Sequence, residues 1–348
     1  MAESRAPEGR TPLRVLVVGY GLIGRQRAAA LNGLAVARLA GTIDPAGQDP
    51  SAQSGAPHYR DLAAVPPGLY DAAIIAVPHD RASELATTVL EAGRPVLVEK
   101  PLGITGQEAQ RLQQLADTLS LPSFVGYNYR FLPAVSAVLE LASSGGLGQL
   151  RNLDLLLGHG GHPGSHEGWK LDPQRAGGGV LLDPGVHLLD LLLLLAPEVE
   201  CTDIQATRGF WQTGIEEDVV ASFRGRQLLA TVRTSHIRWI NTFRVELIGE
   251  DGYALIEGRG GNYGPMSLRL GRRWAWSEPG APSQRESEQE LSFGAENLSL
   301  NEELRAVVGC WRGEEQSGPA HPATMTEARA VTELCDRLYR QLARAGTR

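Results

Sequence analysis

A chain of 348 residues with 42% hydrophobic and 21% charged residues has room for two domains, each burying its own core. The formal net charge of −7 argues against nucleic acid or an anionic membrane surface as the main partner. Cys201, Cys310 and Cys335 lack metal or redox spacing, no secretory leader is recognisable, and the longest leucine run is broken by Asp190 and stopped by Pro197, so the expectation is a cytoplasmic protein with no membrane span.

Residues 1–12 read as a flexible polar tail. Leu13–Val18 is an apolar, β-branched run that stops at glycine, the pattern of a buried parallel strand. It leads into Gly19-Tyr20-Gly21-Leu22-Ile23-Gly24 and a helical stretch, Arg25–Leu31. In such a turn Gly19 permits the tight bend, Gly21 lets the backbone approach a pyrophosphate, and Gly24 lets helix and strand pack closely. The helix N-terminus then offers N–H groups to the phosphates. A second strand, Val36–Ile43, ends at Asp44, 20 residues past the last glycine, where an acid grips the adenosine ribose hydroxyls. Pro45-Ala46-Gly47 contains no arginine for a 2′-phosphate, so the expected cofactor is NAD rather than NADP. Asp44 before Pro45 also reads as a plain turn former.

Strands at Tyr70–Val77, Pro95–Glu99 and Ser123–Tyr127 alternate with helices at Arg81–Ala92 and from the capping box Thr105-x-x-Glu108 to about Leu119. This alternation predicts a doubly wound parallel sheet, which binds ligands at the carboxyl ends of its strands. Candidate cofactor contacts there are Val77, Pro78, Glu99, Lys100 and Pro101, and Asn128 and Arg130 are candidate substrate contacts. Arg130 reads either as an anion binder or as the partner of a surface acid.

Beyond it a helix at Pro133–Ala142, a strand at Gln149–Leu157 and hairpin-type runs at Ile204–Arg208, Asp218–Phe223, Gln227–His236, Asn241–Gly249 and Tyr253–Glu257 predict an α+β domain. Residues 277–290 read as a surface loop, and Thr324-x-x-Glu327 opens a last helix to about Ala345. Between these lies Gly177–Leu195, GGGVLLDPGVHLLDLLLLL. On a helix Asp183, His187 and Asp190 share one face, and Leu182, Val186, Leu189 and Leu193 form a neighbouring stripe that buries it. An acid and an imidazole one turn apart suggest proton transfer on a rigid support. Asp183-Pro184 reads equally as an N-cap followed by proline at the first helical position. His159, His162, His166 and Glu167 crowd a Gly-rich loop, but four ligands on so flexible a segment suit a substrate rim better than a metal site, and no metal is expected. Trp169 follows as a candidate sugar contact.

The glycine turn, AGRPVLVEKPLG at Ala92–Gly103, GYNYRF at Gly126–Phe131 and GGGVLLDPGVHLLD at Gly177–Asp190 together resemble the Gfo/Idh/MocA oxidoreductases. The resemblance runs from about Leu13 to the C-terminal helix. It implies an N-terminal Rossmann domain at residues 13–128 and a C-terminal α+β domain at 129–348 with an open, mostly antiparallel sheet that makes a homodimer or homotetramer. It also implies NAD(P)-dependent hydride transfer to or from a secondary alcohol of a sugar, an inositol-like polyol or a nucleotide sugar. The family's EKP lysine falls on Lys100, its proline, often cis, on Pro101, and its acid and histidine on Asp183 and His187, which count both as catalytic and as substrate-binding. Many members carry a histidine where this chain has Ala82, with His79 the nearest imidazole. His187 is a base because free imidazole titrates near about pH 6.5, Asp183 orients it or bonds a second hydroxyl, and Lys100 polarises the reacting oxygen. The sequence does not choose between Lys100 and His187 as the immediate base. Two alternatives stand beside this reading: an enzyme that keeps its NAD bound and recycles it in place, and a non-catalytic NAD(P)-binding sensor.

Overall fold

Val15, Leu16, Val17 and Val18 of the first strand, β1 (Leu13–Val18), are all buried, as they must be in a parallel strand covered on both faces. The computed structural model describes residues 11–45, 54–161, 168–273, 288–315 and 318–345. Helix α1 (Leu22–Asn32) starts three residues before Arg25, directly on the glycine turn, because Gly21 is its N-cap. There follow β2 (Ala37–Ile43), β3 (His58–Tyr59), β4 (Ala72–Ile75), α2 (His79–Glu91), β5 (Val96–Val98), α3 (Gly106–Thr118) and β6 (Phe124–Val125). The Thr105 hydroxyl accepts from Glu108 N–H at 3.2 Å, while the Glu108 carboxylate takes the Ile104 N–H at 2.7 Å, so the capping box closes one residue further out than its usual form.

The next elements are α4 (Pro133–Ser143), β7 (Leu150–Gly158), α5 (Pro173–Ala176), α6 (Val186–Leu195), β8 (Glu200–Thr207), β9 (Asp218–Arg224), β10 (Leu229–Ser235), β11 (Thr242–Gly249), β12 (Gly252–Glu257), β13 (Met266–Arg272) and β14 (Gln289–Gly294). Helix α7 (Ser299–Trp311), β15 (Ala323–Thr324) and α8 (Met325–Ala345) end the described chain. The capping box that opens α8 is fully reciprocal: Thr324 Oγ1 accepts from Glu327 N–H, and the Glu327 carboxylate accepts from Thr324 N–H.

The chain divides into two compact units. The first runs to Asn128 and adds Leu300–Ser317 and His321–Arg329; its sheet has the order β15-β6-β5-β4-β1-β2-β3, parallel except at β15. This differs from a simple division at 128/129. Leu304, Val307 and Val308 of α7 are buried in one core with Val15, Val17, Ala28, Leu31 and Leu97, so the chain returns to its first sheet before ending. The second unit is built on the sheet β14-β13-β12-β11-β7-β10-β9-β8. It is antiparallel apart from the β7–β10 pair, where Leu229 lies opposite Asn152 and Ser235 opposite Gly158. Alternation sets its faces: Leu153, Leu155, Leu157, Phe243, Val245 and Leu247 point into the core, and Asp154, Arg244 and Glu246 point the other way. Strands β13 and β14 lie beyond the runs read from the sequence, and β14 takes in residues 289 and 290 of the segment expected to be a loop.

Helix α6 corrects three expectations. It begins at Val186, so Asp183 is not on it, and the shared face of Asp183, His187 and Asp190 does not form. Nor is Asp183 a cap, because the N-cap is Gly185. Pro184 has no N–H to carry a helical ladder, and the preceding residues close on themselves instead. Asp183 N–H donates to Gly179 O at 2.9 Å and Gly185 N–H to Val180 O at 2.9 Å, with a cis Asp183–Pro184 bond in between. The helix is also buried on every side from Val186 to Leu192, not along one stripe.

Candidate functional site

In the first unit the glycine turn closes at the carboxyl end of the sheet, and each glycine is there for a distinct reason. Gly19 has a φ of +90°, and a Cβ on it would lie 2.2 Å from Ala76 O and 2.8 Å from Val77. On Gly24 a Cβ would lie 1.9 Å from Gly19 O. Around Gly21 there is open space within 4 Å. No side chain caps α1, and Leu22 and Ile23 in its first turn are 67% and 37% exposed. Tyr20 N–H donates to the Asp44 carboxylate at 2.8 Å, tying the end of β2 to the turn. Uncapped helical N–H groups, clearance at Gly21 and a carboxylate at the end of β2 fit a dinucleotide's pyrophosphate and ribose. Pro78 is the N-cap of α2 at the end of β4, so Val77 and Pro78 border the same edge.

A contrast follows from these clearances. Gly21→Ala, at a φ of −70°, is expected to leave the melting temperature unchanged while weakening dinucleotide binding at least about tenfold. Gly24→Ala is expected to lower the melting temperature as well, because its Cβ meets backbone that cannot step aside. Thermal melts and fluorescence titration with NADH check both.

Lys100 is half-buried just past β5, preceding a cis Lys100–Pro101 bond. Glu99 before it has a partner the sequence did not foresee. Arg27 Nε donates to its Oε1 at 2.7 Å, and the same guanidinium reaches Glu303 of α7 at 2.6 Å. Arg27 and Glu303 are fully buried. Burial disfavours the Arg27 cation, but Glu99 and Glu303 outweigh it and hold the arginine firmly charged. The only hint in the sequence is a cation on the buried side of a helix that also carries Ala28, Ala30 and Leu31.

In the second unit His187 is buried and stacked on Tyr129, ring centroids 3.9 Å apart and planes at 4°. Phe243 meets Tyr129 edge-on at 5.6 Å. Burial pushes the Tyr129 phenol up to about 12, with Asp183 among the nearby groups that raise it and Arg259 lowering it. Asp183 pairs with Lys170 at 2.7 Å, and Lys170 also lies 5.8 Å from the Trp169 ring. Glu216 braces the turn that carries Asp183: its Oε1 accepts from Gly179 N–H at 2.8 Å, Leu181 N–H at 3.3 Å and the Tyr339 hydroxyl at 2.6 Å. Burial, then the Glu216 charge, raises the Tyr339 hydroxyl well above its usual range.

Arg130 is not at a surface. Its guanidinium makes a two-pronged pair with Asp190, 2.8 Å and 2.5 Å, with both side chains 1% exposed. Asp190 is therefore the acid that fixes the 3₁₀ turn Asn128–Phe131 against α6 within this unit's share of that turn, starting at Tyr129. Trp169 opens a 3₁₀ turn, Trp169–Leu171. His159 contacts the His236 ring at 4.5 Å; His162, His166 and Glu167 lie outside the described residues. Among the described residues no group of acids, histidines and cysteines is arranged to hold a metal, and no helix is long and apolar enough to cross a membrane.

The model of an oxidoreductase family with an NAD-binding Rossmann fold matches residues 13–127, and that of the Gfo/Idh/MocA C-terminal domain matches residues 135–255. The chain belongs to the Gfo/Idh/MocA oxidoreductase family. It is similar to levoglucosan dehydrogenase of Pseudarthrobacter phenanthrenivorans, 29% identical over 161 residues that make up 46% of this chain and 40% of that protein. It is also similar to inositol 2-dehydrogenase of Rhizobium meliloti, 26% identical over 198 residues, 56% of this chain and 58% of that one. The chain thus spans about half the length of the curated relatives it matches. Among solved structures, levoglucosan dehydrogenase in complex with NADH and levoglucosan superposes with a TM-score of 0.81 at 17% identity, covering 96% of this chain and 98% of that one. The WlbA dehydrogenase from Bordetella pertussis, in complex with NADH and UDP-GlcNAcA, gives 0.80 at 19% identity, covering 97% and 98%. At these identities the structural likeness is one of fold.

Proposed function

We propose that this Gfo/Idh/MocA protein is an NAD-dependent dehydrogenase acting on a secondary alcohol of a sugar, a polyol or a nucleotide sugar. The observation that carries the reading is the glycine turn closed on Asp44, a carboxylate where the adenosine ribose of a dinucleotide would lie. Solved relatives occur with NADH and, for the ketoreductase KijD10, with NADP. For this chain Asp44 favours NAD, since its charge repels a 2′-phosphate.

When bound, the nicotinamide supplies the hydride acceptor, and the protein has to manage the proton and the charge on oxygen. Lys100 is assigned as the donor that polarises the reacting oxygen, with Glu99 and Arg27 fixing the backbone before it. His187 is assigned to the hydroxyl proton; its plane is set by the Tyr129 stack, so the ring is preorganised. Asp183, held by Lys170 and by the Glu216-braced turn, is assigned to a substrate hydroxyl. Asn128 and Trp169 remain candidate substrate contacts, whereas Arg130 is assigned a positioning role through Asp190. We also assign the exposed face of the second unit's sheet to self-association, which sedimentation of the purified protein tests.

The deciding experiment follows absorbance at 340 nm while the protein and NAD are offered polyols, free sugars and nucleotide sugars in turn. NADH formation with one of these sets, and an affinity for NADH at least about tenfold above that for NADPH, is the expected result. NADH binding without turnover on any set would overturn the dehydrogenase reading, and equal affinity for NADPH would overturn the assignment of Asp44.

A further inference from the structure

The loop between β12 and β13 is rich in glycine and nevertheless firmly tied down. Gly258, Gly260 and Gly261 all have positive φ, of 72°, 82° and 54°. Their N–H groups donate to Phe243 O at 3.0 Å, Gly264 O at 2.9 Å and Ala295 O at 2.8 Å. This frame holds out one side chain, Arg259. Its guanidinium carbon lies 3.9 Å from the centre of the Tyr263 ring and 5.0 Å from that of Tyr129. His187 lies parallel to the same Tyr129 ring, so the imidazole and the cation share one aromatic neighbour. The result is a chain of contacts, His187 to Tyr129 to Arg259 to Tyr263, with the candidate base at one end and the cation one tyrosine away from it.

Several arginines of this unit are spent on acids. Arg130, Arg233, Arg244 and Arg269 each pair with a carboxylate, at 2.5–3.0 Å. Among the described residues Arg259 makes no ion pair, and its buried Nε has no hydrogen-bond partner. A guanidinium does not lose its proton, and a buried donor without an acceptor is unfavourable. Contact with two tyrosine faces offsets part of that cost but accepts no N–H. Asp183, which like Arg259 acts on the Tyr129 phenol, is paired with Lys170. A planar cation stacked between rings with a donor left over is arranged to take a carboxylate or phosphate through two parallel hydrogen bonds.

We propose that Arg259 is the specificity-determining residue of the second unit's site and that it recognises an anionic oxygen group, so that the substrate is an acidic sugar derivative rather than a neutral sugar. This rests on the dehydrogenase reading above for the words "substrate" and "sugar"; the anion site itself does not.

Calorimetric titration of the full-length protein saturated with NAD, using glucose, glucuronate and glucose 6-phosphate as probes, tests it. At least one of the two anions is expected to bind about tenfold or more tightly than glucose, and which one does so tells carboxylate from phosphate. Arg259→Met, which keeps much of the bulk without the charge, is expected to lose that preference, the three probes then binding within about threefold of one another. Arg259→Lys, with the charge but not the planar fork, is expected to fall between the two. Equal affinity of the wild type for all three probes, or no binding of either anion, would overturn the proposal without any variant being needed. A preference retained in Arg259→Met would also overturn it. Anion preference without NADH formation would sink the dehydrogenase reading alone, and NADH formation from neutral sugars without anion preference would sink this proposal alone.

Discussion

Lys100→Ala is expected to lower kcat by about 10²–10⁴ while the dissociation constant for NADH changes less than about threefold. The two parameters separate because different parts of the first unit serve them. In the proposed arrangement the dinucleotide is met by backbone N–H groups of the turn from Gly19 to Gly24 and by the side-chain carboxylate of Asp44, neither of which involves the lysine. Lys100 stands past the end of another strand, β5, half-buried, where open parallel sheets present side chains to a substrate. On the proposed assignment, removing its ammonium takes a donor from the reacting oxygen and leaves the cradle intact. Lys100→Arg then asks what the lysine does. Arginine keeps a positive donor but cannot give up a proton near neutral pH. If Lys100 acts only by polarising the oxygen, the arginine variant retains part of the rate, and His187→Ala loses the acidic limb of the pH profile. If Lys100 itself relays the proton, Lys100→Arg is as slow as Lys100→Ala. Stopped-flow NADH formation with both variants reads the difference, and an unchanged kcat in Lys100→Ala would remove the lysine from the chemistry.

What could be read from the chain without coordinates was whatever depends on near neighbours. The run Val15–Val18 is buried because it is apolar over a length that only a covered strand accommodates, and both Thr-x-x-Glu boxes form because their bonds span three or four residues. The glycine turn was legible for the same reason, whereas Asp44, 24 residues from Tyr20, was legible from the regular length of a strand–helix–strand unit. Asp183 was misplaced because helical spacing was extended backwards through a proline; the local rule that proline ends a ladder outweighed the 3.6-residue period. Other features depend on chain segments far apart in sequence. Arg130 and Asp190 are 60 residues apart, and nothing local says that this arginine is spent on a buried acid. The return of α7 to the first core, and with it Glu303, involves a separation of more than 270 residues from Arg27. Arg259 stands out only once its neighbours are known, since what marks it is its place against Tyr263 and Tyr129 with no carboxylate partner among the described residues.

Arg27→Met is expected to be the most destabilising of the changes considered, by about 3–5 kcal/mol, because it removes one cation that serves two carboxylates. Arg27 and Glu303 have side chains 1% and 0% exposed and Glu99 16%, so the orphaned acids gain little help from water. A buried ion pair is a weak source of net stability when compared with a well-packed apolar replacement, yet breaking one side of it is costly. The same logic predicts that Arg27→Met combined with Glu303→Leu recovers much of the loss, since the deeper of the two carboxylates then leaves with its partner. Urea unfolding followed by tryptophan emission measures both, Trp311 being fixed to this unit by its indole N–H to Pro122 O. The functional consequence should differ from the thermodynamic one. Arg27 lies on α1, the helix that begins at the glycine turn, and Glu99 directly precedes Lys100. In the double variant the fold is regained but Glu99 still lacks its anchor, so kcat is expected to stay depressed after stability has returned. A double variant with both stability and kcat restored would show the network to be structural only, and a fully stable Arg27→Met would show that the carboxylates do not need the cation at all.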